Sequence, residues 1–267
     1  MDASVQEPFV QEPSPIRQPE MAAPAMAPTA DAAWAPLYRI GAVAALASVA
    51  LIVAAVAVFL LWPPPTTVSG FFALLQRNPF LGLLDLDLLM VMTYAIMSPI
   101  YLALYIALRR ASQSLMLIAL TFELLGVALI LGANPAFAML SLSGQYAAAT
   151  AEAPRAALLA AGQALMATSM GTGFNVGYVF GALATLLIAA VMLRSGVFSK
   201  ATAYVGLMMG ALTLIPATVG TLGVVLSLLS LAPTVAWLIL VALRLFKMSR
   251  APGVVNRMVN PVGEAAA

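Results

Sequence analysis

Among its 267 residues the chain has no cysteine and no histidine, and only 8% of its residues are charged. Without Cys or His there are no ligands for structural zinc, no HExxH metalloprotease motif, no His or Cys axial ligand for haem, and no thiol or disulfide chemistry. A serine nucleophile would also lack the imidazole base of a Ser–His intramembrane protease. The sequence therefore names no catalytic residue, no metal ligand set and no cofactor-binding motif. The scarcity of charge restricts the fold in the same way, because soluble domains usually carry about a quarter charged residues. With 63% hydrophobic residues and a mean hydropathy of +1.02, the chain lacks the polar surface to cover a soluble core. A net charge of +2 and a pI near 9.1 do not point to nucleic acid, because the positive residues are scattered along the chain instead of gathered into a patch.

What is present is a series of uncharged runs, 40–76, 88–108, 124–151, 156–193 and 201–243. Several exceed the roughly 20 residues that cross a bilayer as a helix. The expected fold is all-α, a polytopic membrane helix bundle of about six spans in contact with the lipid bilayer. Spans are expected at about 40–62, 84–108, 114–133, 172–193, 199–218 and 224–243, inside a transmembrane domain covering 37–247. Residues 1–36 carry five acidic residues against Arg17 alone, with seven prolines, and read as a disordered acidic Pro/Ala-rich tail. Residues 248–267 read as a flexible C-terminal tail. Between Asn134 and Gly171 the chain remains helix-like in two pieces, with Thr150 as the expected N-cap of the second and Pro154 in its first turn. These pieces are expected on the outer surface or packed on the bundle.

Six spans make a statement about charge, because cytoplasmic loops hold the excess of Lys and Arg. With the N-terminus inside, the inner set is Arg17, Arg39, Arg109, Arg110, Arg194, Lys200, Arg244, Lys247, Arg250 and Arg257. Only Arg77 and Arg155 fall outside, so ten of the 12 positive residues share one side. The pattern predicts a multi-pass membrane protein with both termini in the cytoplasm.

Across the second half, LALYIALRR, LSLSGQYAAAT, ALLAAGQALMA, GTGFNVGYVFGALATLLIAAVMLRS and FSKATAYVG occur in order. Over roughly residues 36–247 the chain resembles a bacterial integral membrane family catalogued as domain of unknown function 4386. The resemblance implies a multi-pass inner-membrane fold, and the family supplies no established reaction, ligand or catalytic residue to carry over.

Glu123, in LTFELLG, falls near the middle of the third span. A carboxylate at that depth costs on the order of 2.5 kcal/mol or more, so it must be protonated, paired or facing water. Ser48, Ser98, Thr213 and Thr234 lie at similar depth, with Tyr94 and Tyr101 about a turn away. Glu123, Ser98, Tyr94, Tyr101, Thr234 and Ser230 are the candidate midplane polar site. Either the acid is neutral and held by hydroxyls, or it serves a proton or cation relay. Ser227, Ser230 and Thr234 recur on one helical face beside Pro233. That stripe suits a polar path or ordinary helix contact in lipid. Tyr94, Ser98, Tyr101 and Tyr105 form a similar face around Pro99, either an aromatic seam or a wall of the same cavity. Asp85 and Asp87, if both helical, diverge by about 200° and lie near the headgroups, with Arg77 and Arg155 as the outer cations within reach.

The stretch GTGFNVGYVFG imitates a phosphate-binding loop at its start. Such a loop needs a strand before it and an acidic residue about 20 positions later. Neither is present: AAGQALMATSM before it is helix-like, and no acidic residue falls between Glu152 and Glu264. Gly173, Gly177, Gly181, Thr185 and Ala189 instead keep i+4 spacing along the fourth span, an edge that lets another helix approach closely. Gly206 and Gly210 are the expected partner edge.

Three classes of function remain open. One is binding or translocation of a small ligand, ion or proton through the cluster around Glu123. Another is a structural, sensory or assembly role, with a homo-oligomer or membrane-protein partner at the tail or the 134–171 segment. An enzyme is the least supported, because without His or Cys only carboxylate and tyrosine chemistry remains.

Overall fold

Every regular element in the computed structural model is a helix, and the described residues are 32–250. The expected acidic tail up to residue 31 and the expected tail after Arg250 lie outside the described residues. A short 3-10 turn, Ala32–Trp34, leads into α1 (Ala35–Leu61). Helix thus begins earlier than residue 40, because Pro36 sits in the first turn, where an absent N–H costs nothing. The helix stops before Pro63, Pro64 and Pro65. Two short helices follow, α2 (Val68–Arg77) and α3 (Pro79–Asp85), started by caps that the sequence provides. Thr67 accepts from the Gly70 N–H and Asn78 from the Leu81 N–H, both at 3.1 Å.

Next come α4 (Leu88–Leu108), α5 (Gln113–Ala133), α6 (Ala136–Ala148) and α7 (Glu152–Ser169). They are followed by α8 (Thr172–Ser195), α9 (Lys200–Leu212) and α10 (Gly220–Arg250). The expected cap of α7 is corrected by one residue: its N-cap is Ala151, with no side-chain hydrogen bond, and Thr150 stands outside.

Among the described residues five stretches, not six, hold helices long and apolar enough to cross a membrane. They contain α1, α4, α5, α8 and α10. The expected span 199–218 is the exception, since α9 has only 13 residues. Its end has a local cause: Pro216 has no N–H and disfavours helix at the residue before it. The Thr213 hydroxyl meanwhile donates to the carbonyls of Met209 and Gly210 at 2.9 and 3.3 Å, satisfying the last turn.

One end of the bundle is basic. The Arg109 guanidinium lies over the Trp34 ring at 5.5 Å, and a β-carbon added to Gly41 would meet Ala103 at 2.8 Å and Leu245 at 3.3 Å. The start of α1, the end of α4 and the end of α10 therefore share this end. Arg244 and Lys247 line one cavity with Gly196 and Ser199, which brings the α8–α9 connection there too. Its packing is a large apolar cluster including Leu104, Met116, Ile188, Trp237, Leu238 and Leu245. At the opposite end α2, α3, α6 and α7 form a cap with a separate core of Phe71, Phe72, Leu75, Leu86, Ala136 and Met139. Ser143, buried in that cap, donates to the Phe72 carbonyl at 3.1 Å, and its own carbonyl accepts from Gln76 at 3.2 Å. The 134–171 segment is thus packed into a cap.

Candidate functional site

Between the cap and the apolar cluster lies a cavity of about 380 Å³, bounded by α1, α4, α5, α8, α9 and α10. Helical spacing decides which α4 residues reach it. Asp87, Met90, Tyr94, Met97 and Tyr101 recur every three or four positions and line it, with Thr93 beside them. Ser98 is one position round from Met97 and does not line the cavity, so the structure separates it from the cluster to which its depth had assigned it. Ser48 has the right depth but is buried against its own helix, donating to the Ala44 carbonyl at 2.9 Å. Tyr105 packs on the apolar cluster instead.

Glu123 enters the cavity from α5 at the centre of that helix. It is 3% exposed, and its Oε2 is buried without a hydrogen-bond partner. The neighbouring group is the Tyr101 hydroxyl, which also faces Thr185 of α8. Gly181 of α8 lies beside the carboxyl, where an added β-carbon would stand in ordinary contact with Oε2 at 3.7 Å. Ser230 and Thr234 reach the cavity from α10 and Thr213 from the end of α9. Glu123, Tyr94, Tyr101, Ser230 and Thr234 therefore share one space.

The remaining hydroxyls have a common polarity. Thr93, Thr213, Ser230 and Thr234 donate their protons to carbonyls of their own helices, at 2.8, 2.9, 2.7 and 2.7 Å. Each keeps a lone pair for the cavity. Ser227 is not part of the wall but bonds the Tyr178 hydroxyl at 2.9 Å, tying α10 to α8.

The glycines at the start of the α8 stripe meet α5, while its far end at Ala189 meets α9. A β-carbon on Gly126 would stand 2.8 Å from the Gly177 carbonyl oxygen, and one on Gly177 would stand 2.8 Å from the Gly126 carbonyl oxygen. A β-carbon on Gly173 would stand 3.7 Å from the Leu129 carbonyl oxygen and from the Ala133 β-carbon of α5. Gly206 and Gly210 are accordingly corrected as partners of its glycines, although a β-carbon on Gly206 would stand 3.1 Å from the β-carbon of Ala189 at the end of the stripe. An added β-carbon at Gly206 would come within 2.7 Å of Trp237 Nε1, and at Gly210 within 2.8 Å of Leu186, so both make room for large side chains. Gly177, Gly181 and Thr185 also form the α8 wall of the cavity. Sequence reading missed Thr185 as a site residue because its place in a small-residue stripe concealed its proximity to Tyr101.

The acidic pair departs furthest from expectation. The helix breaks between Asp85 and Asp87: Asp85 ends α3, and Asp87 precedes α4 with φ of +62°, a left-handed conformation that Asp tolerates better than most residues. The two carboxyls consequently lie near one another at a turn instead of diverging on one helix. Burial pushes the Asp87 carboxyl up to about 6, with the charge of Asp85 as the second cause, and burial also raises Asp85. Arg155 lies over the Tyr146 ring at 4.4 Å, and neither it nor Arg77 lines the cavity that holds the pair.

Toward the basic end the cavity stops at packed side chains, with Leu104, Trp237 and Leu238 at 0% exposure. An all-α membrane bundle with a ligand-sized, mostly apolar cavity closed toward one end is the class that fold and site define. No protein-family model, curated protein or solved structure matches the chain.

Proposed function

We propose that this chain is a bacterial inner-membrane protein, with both termini cytoplasmic, that binds and moves a small amphipathic ligand or cation through the cavity around Glu123, without catalysing a reaction. The observation that carries this reading is Glu123 itself, 3% exposed, with an unpartnered carboxyl oxygen in a cavity of about 380 Å³. A buried acid kept only for packing would have its oxygens satisfied by neighbouring donors, because unsatisfied polar groups in a membrane interior are costly. The same reading takes the chain as a member of the family it resembles, domain of unknown function 4386, and takes the basic end as cytoplasmic from its Lys and Arg excess.

The test compares purified wild type with Glu123→Gln across a panel of small amphipathic compounds. Compounds that raise the melting temperature of the wild type should lose that effect in the variant. An identical, flat response in both proteins would remove the cavity from functional consideration and leave a structural or assembly role.

A further inference from the structure

A second cavity, of about 310 Å³, lies beneath the cap and contains Asp85. Asp85 is 6% exposed, and its Oδ1 is buried with no hydrogen-bond partner. Phe59, Asp87 and Met90 line both cavities. The two spaces therefore adjoin at Asp87 and succeed one another on the path from the cap to Glu123. Three carboxyl groups stand along it, and among the described residues lining it none is Lys or Arg. Two buried, unpartnered acid oxygens at separate levels of one cation-free path are each stabilised by the same visitor, a positive charge.

The neutral groups agree. Four hydroxyls have spent their protons on helix carbonyls and present acceptors. Tyr94, Tyr101 and Tyr178 add aromatic rings to the wall, and such rings attract a desolvated cation that reaches their faces. Size and wall chemistry decide between kinds of cation. A hard inorganic ion requires a close shell of oxygen ligands. Here the space is ligand-sized, and much of its wall is Ile52, Val56, Met97, Met209 and Leu231.

We infer that the path accepts a monovalent organic cation, with an ammonium group held at Glu123 and an apolar part against α1 and α10. This rests on the reading that the cavity binds a ligand, and it adds the charge and chemical class of that ligand.

Three probes of similar size separate the possibilities: benzyltrimethylammonium, its neutral isostere neopentylbenzene, and the anion benzylsulfonate. Saturable binding to purified full-length protein is measured by equilibrium dialysis and by melting temperature, for wild type, Glu123→Gln, Asp87→Asn and Asp85→Asn. The cation should bind wild type, weaken roughly tenfold or more in Glu123→Gln and severalfold in the Asp variants, while the neutral isostere binds all four proteins alike. Should Glu123→Gln not fold, the Asp85 and Asp87 variants carry the same comparison. Neutral or anionic probes binding as tightly as the cation would overturn the cation assignment and leave the ligand cavity standing. Cation binding indifferent to all three substitutions would place it elsewhere and overturn the assignment too. Failure of all three probes to bind would count against both.

Discussion

Asp87 stands where the two cavities meet, and its carboxyl is raised to about 6 by burial and by Asp85. A carboxyl whose folded value exceeds its unfolded value binds more protons in the fold between those values. The stabilisation this brings is present at low pH and is lost as pH rises from the ordinary carboxylate range through about 6. Asp85, also raised by burial, acts with the same sign. Wild type should therefore melt higher at pH 5 than at pH 7, with a contribution from Asp87 on the order of 1 kcal/mol. Asp87→Asn should flatten that slope. Wild-type and variant profiles that run parallel between these pH values would show that the turn does not couple to protonation. The location of this pair was not legible in the sequence, because a DLD step inside an apolar run reads as continuous helix. Only the left-handed turn at Asp87 brings the carboxyls together. Glu123, by contrast, was legible from its depth alone, since no other acid falls near the middle of an expected span.

At the scale of elements, the α5–α8 crossing is where small residues matter most. Without a hydrophobic drive between helices in lipid, dispersion and close backbone contact hold them together. The reciprocal 2.8 Å approaches at Gly126 and Gly177 leave no room for a methyl group. Gly126 lies outside the cavity wall, so Gly126→Ala tests packing alone and should destabilise by roughly 1–3 kcal/mol. Gly144, helical in α6, has nothing within 4 Å of an added β-carbon. Gly144→Ala should instead stabilise by about 0.5–1 kcal/mol through helix propensity. Denaturation of both variants in mild detergent checks the pair of signs; equal effects would mean that the crossing is not tightly packed. The i+4 glycine stripe could be read from spacing, but only part of its partner could. Gly206 does meet the stripe's last member, Ala189, whereas Gly126, which meets Gly177, has Phe122 and Ile130 at i−4 and i+4 and so carries no spacing signal of its own. Periodicity also assigned the Tyr94 and Tyr101 face of α4, yet it could not exclude Ser98, because a one-position rotation is below what depth counting resolves.

For the whole molecule the decisive question is how five long helices return the chain to its starting end. An odd number of crossings would separate Gly41 from Leu245, yet these residues lie side by side. The missing crossing belongs to α9 and the segment after it. At about 1.5 Å per residue, the 13 residues of α9 span about 20 Å, short of the roughly 30 Å hydrocarbon core. The remainder is made by 213–219, and by Thr218 the chain has reached Asn175 in the first turn of α8, to which its hydroxyl donates. Non-helical backbone at membrane depth is tolerated where it lines a cavity or is buried in protein, and Thr213 lines the cavity. The sequence contained the stop, in Pro216, but its i+4 glycines and lack of charge between 201 and 243 made the run look like two full spans. The absence of native cysteine permits a direct test with single-cysteine variants and a membrane-impermeant thiol reagent. Ser112→Cys and Ser249→Cys, at the basic end, should label from the cytoplasmic side, and Thr150→Cys from the opposite side. Val219→Cys decides the crossing. If α9 and its extension traverse the bilayer, it labels with Thr150→Cys; if α9 folds back without crossing, it labels with Ser112→Cys. In that second case α10 could not start at the cap end, and its Ser230 and Thr234 would not stand opposite Glu123.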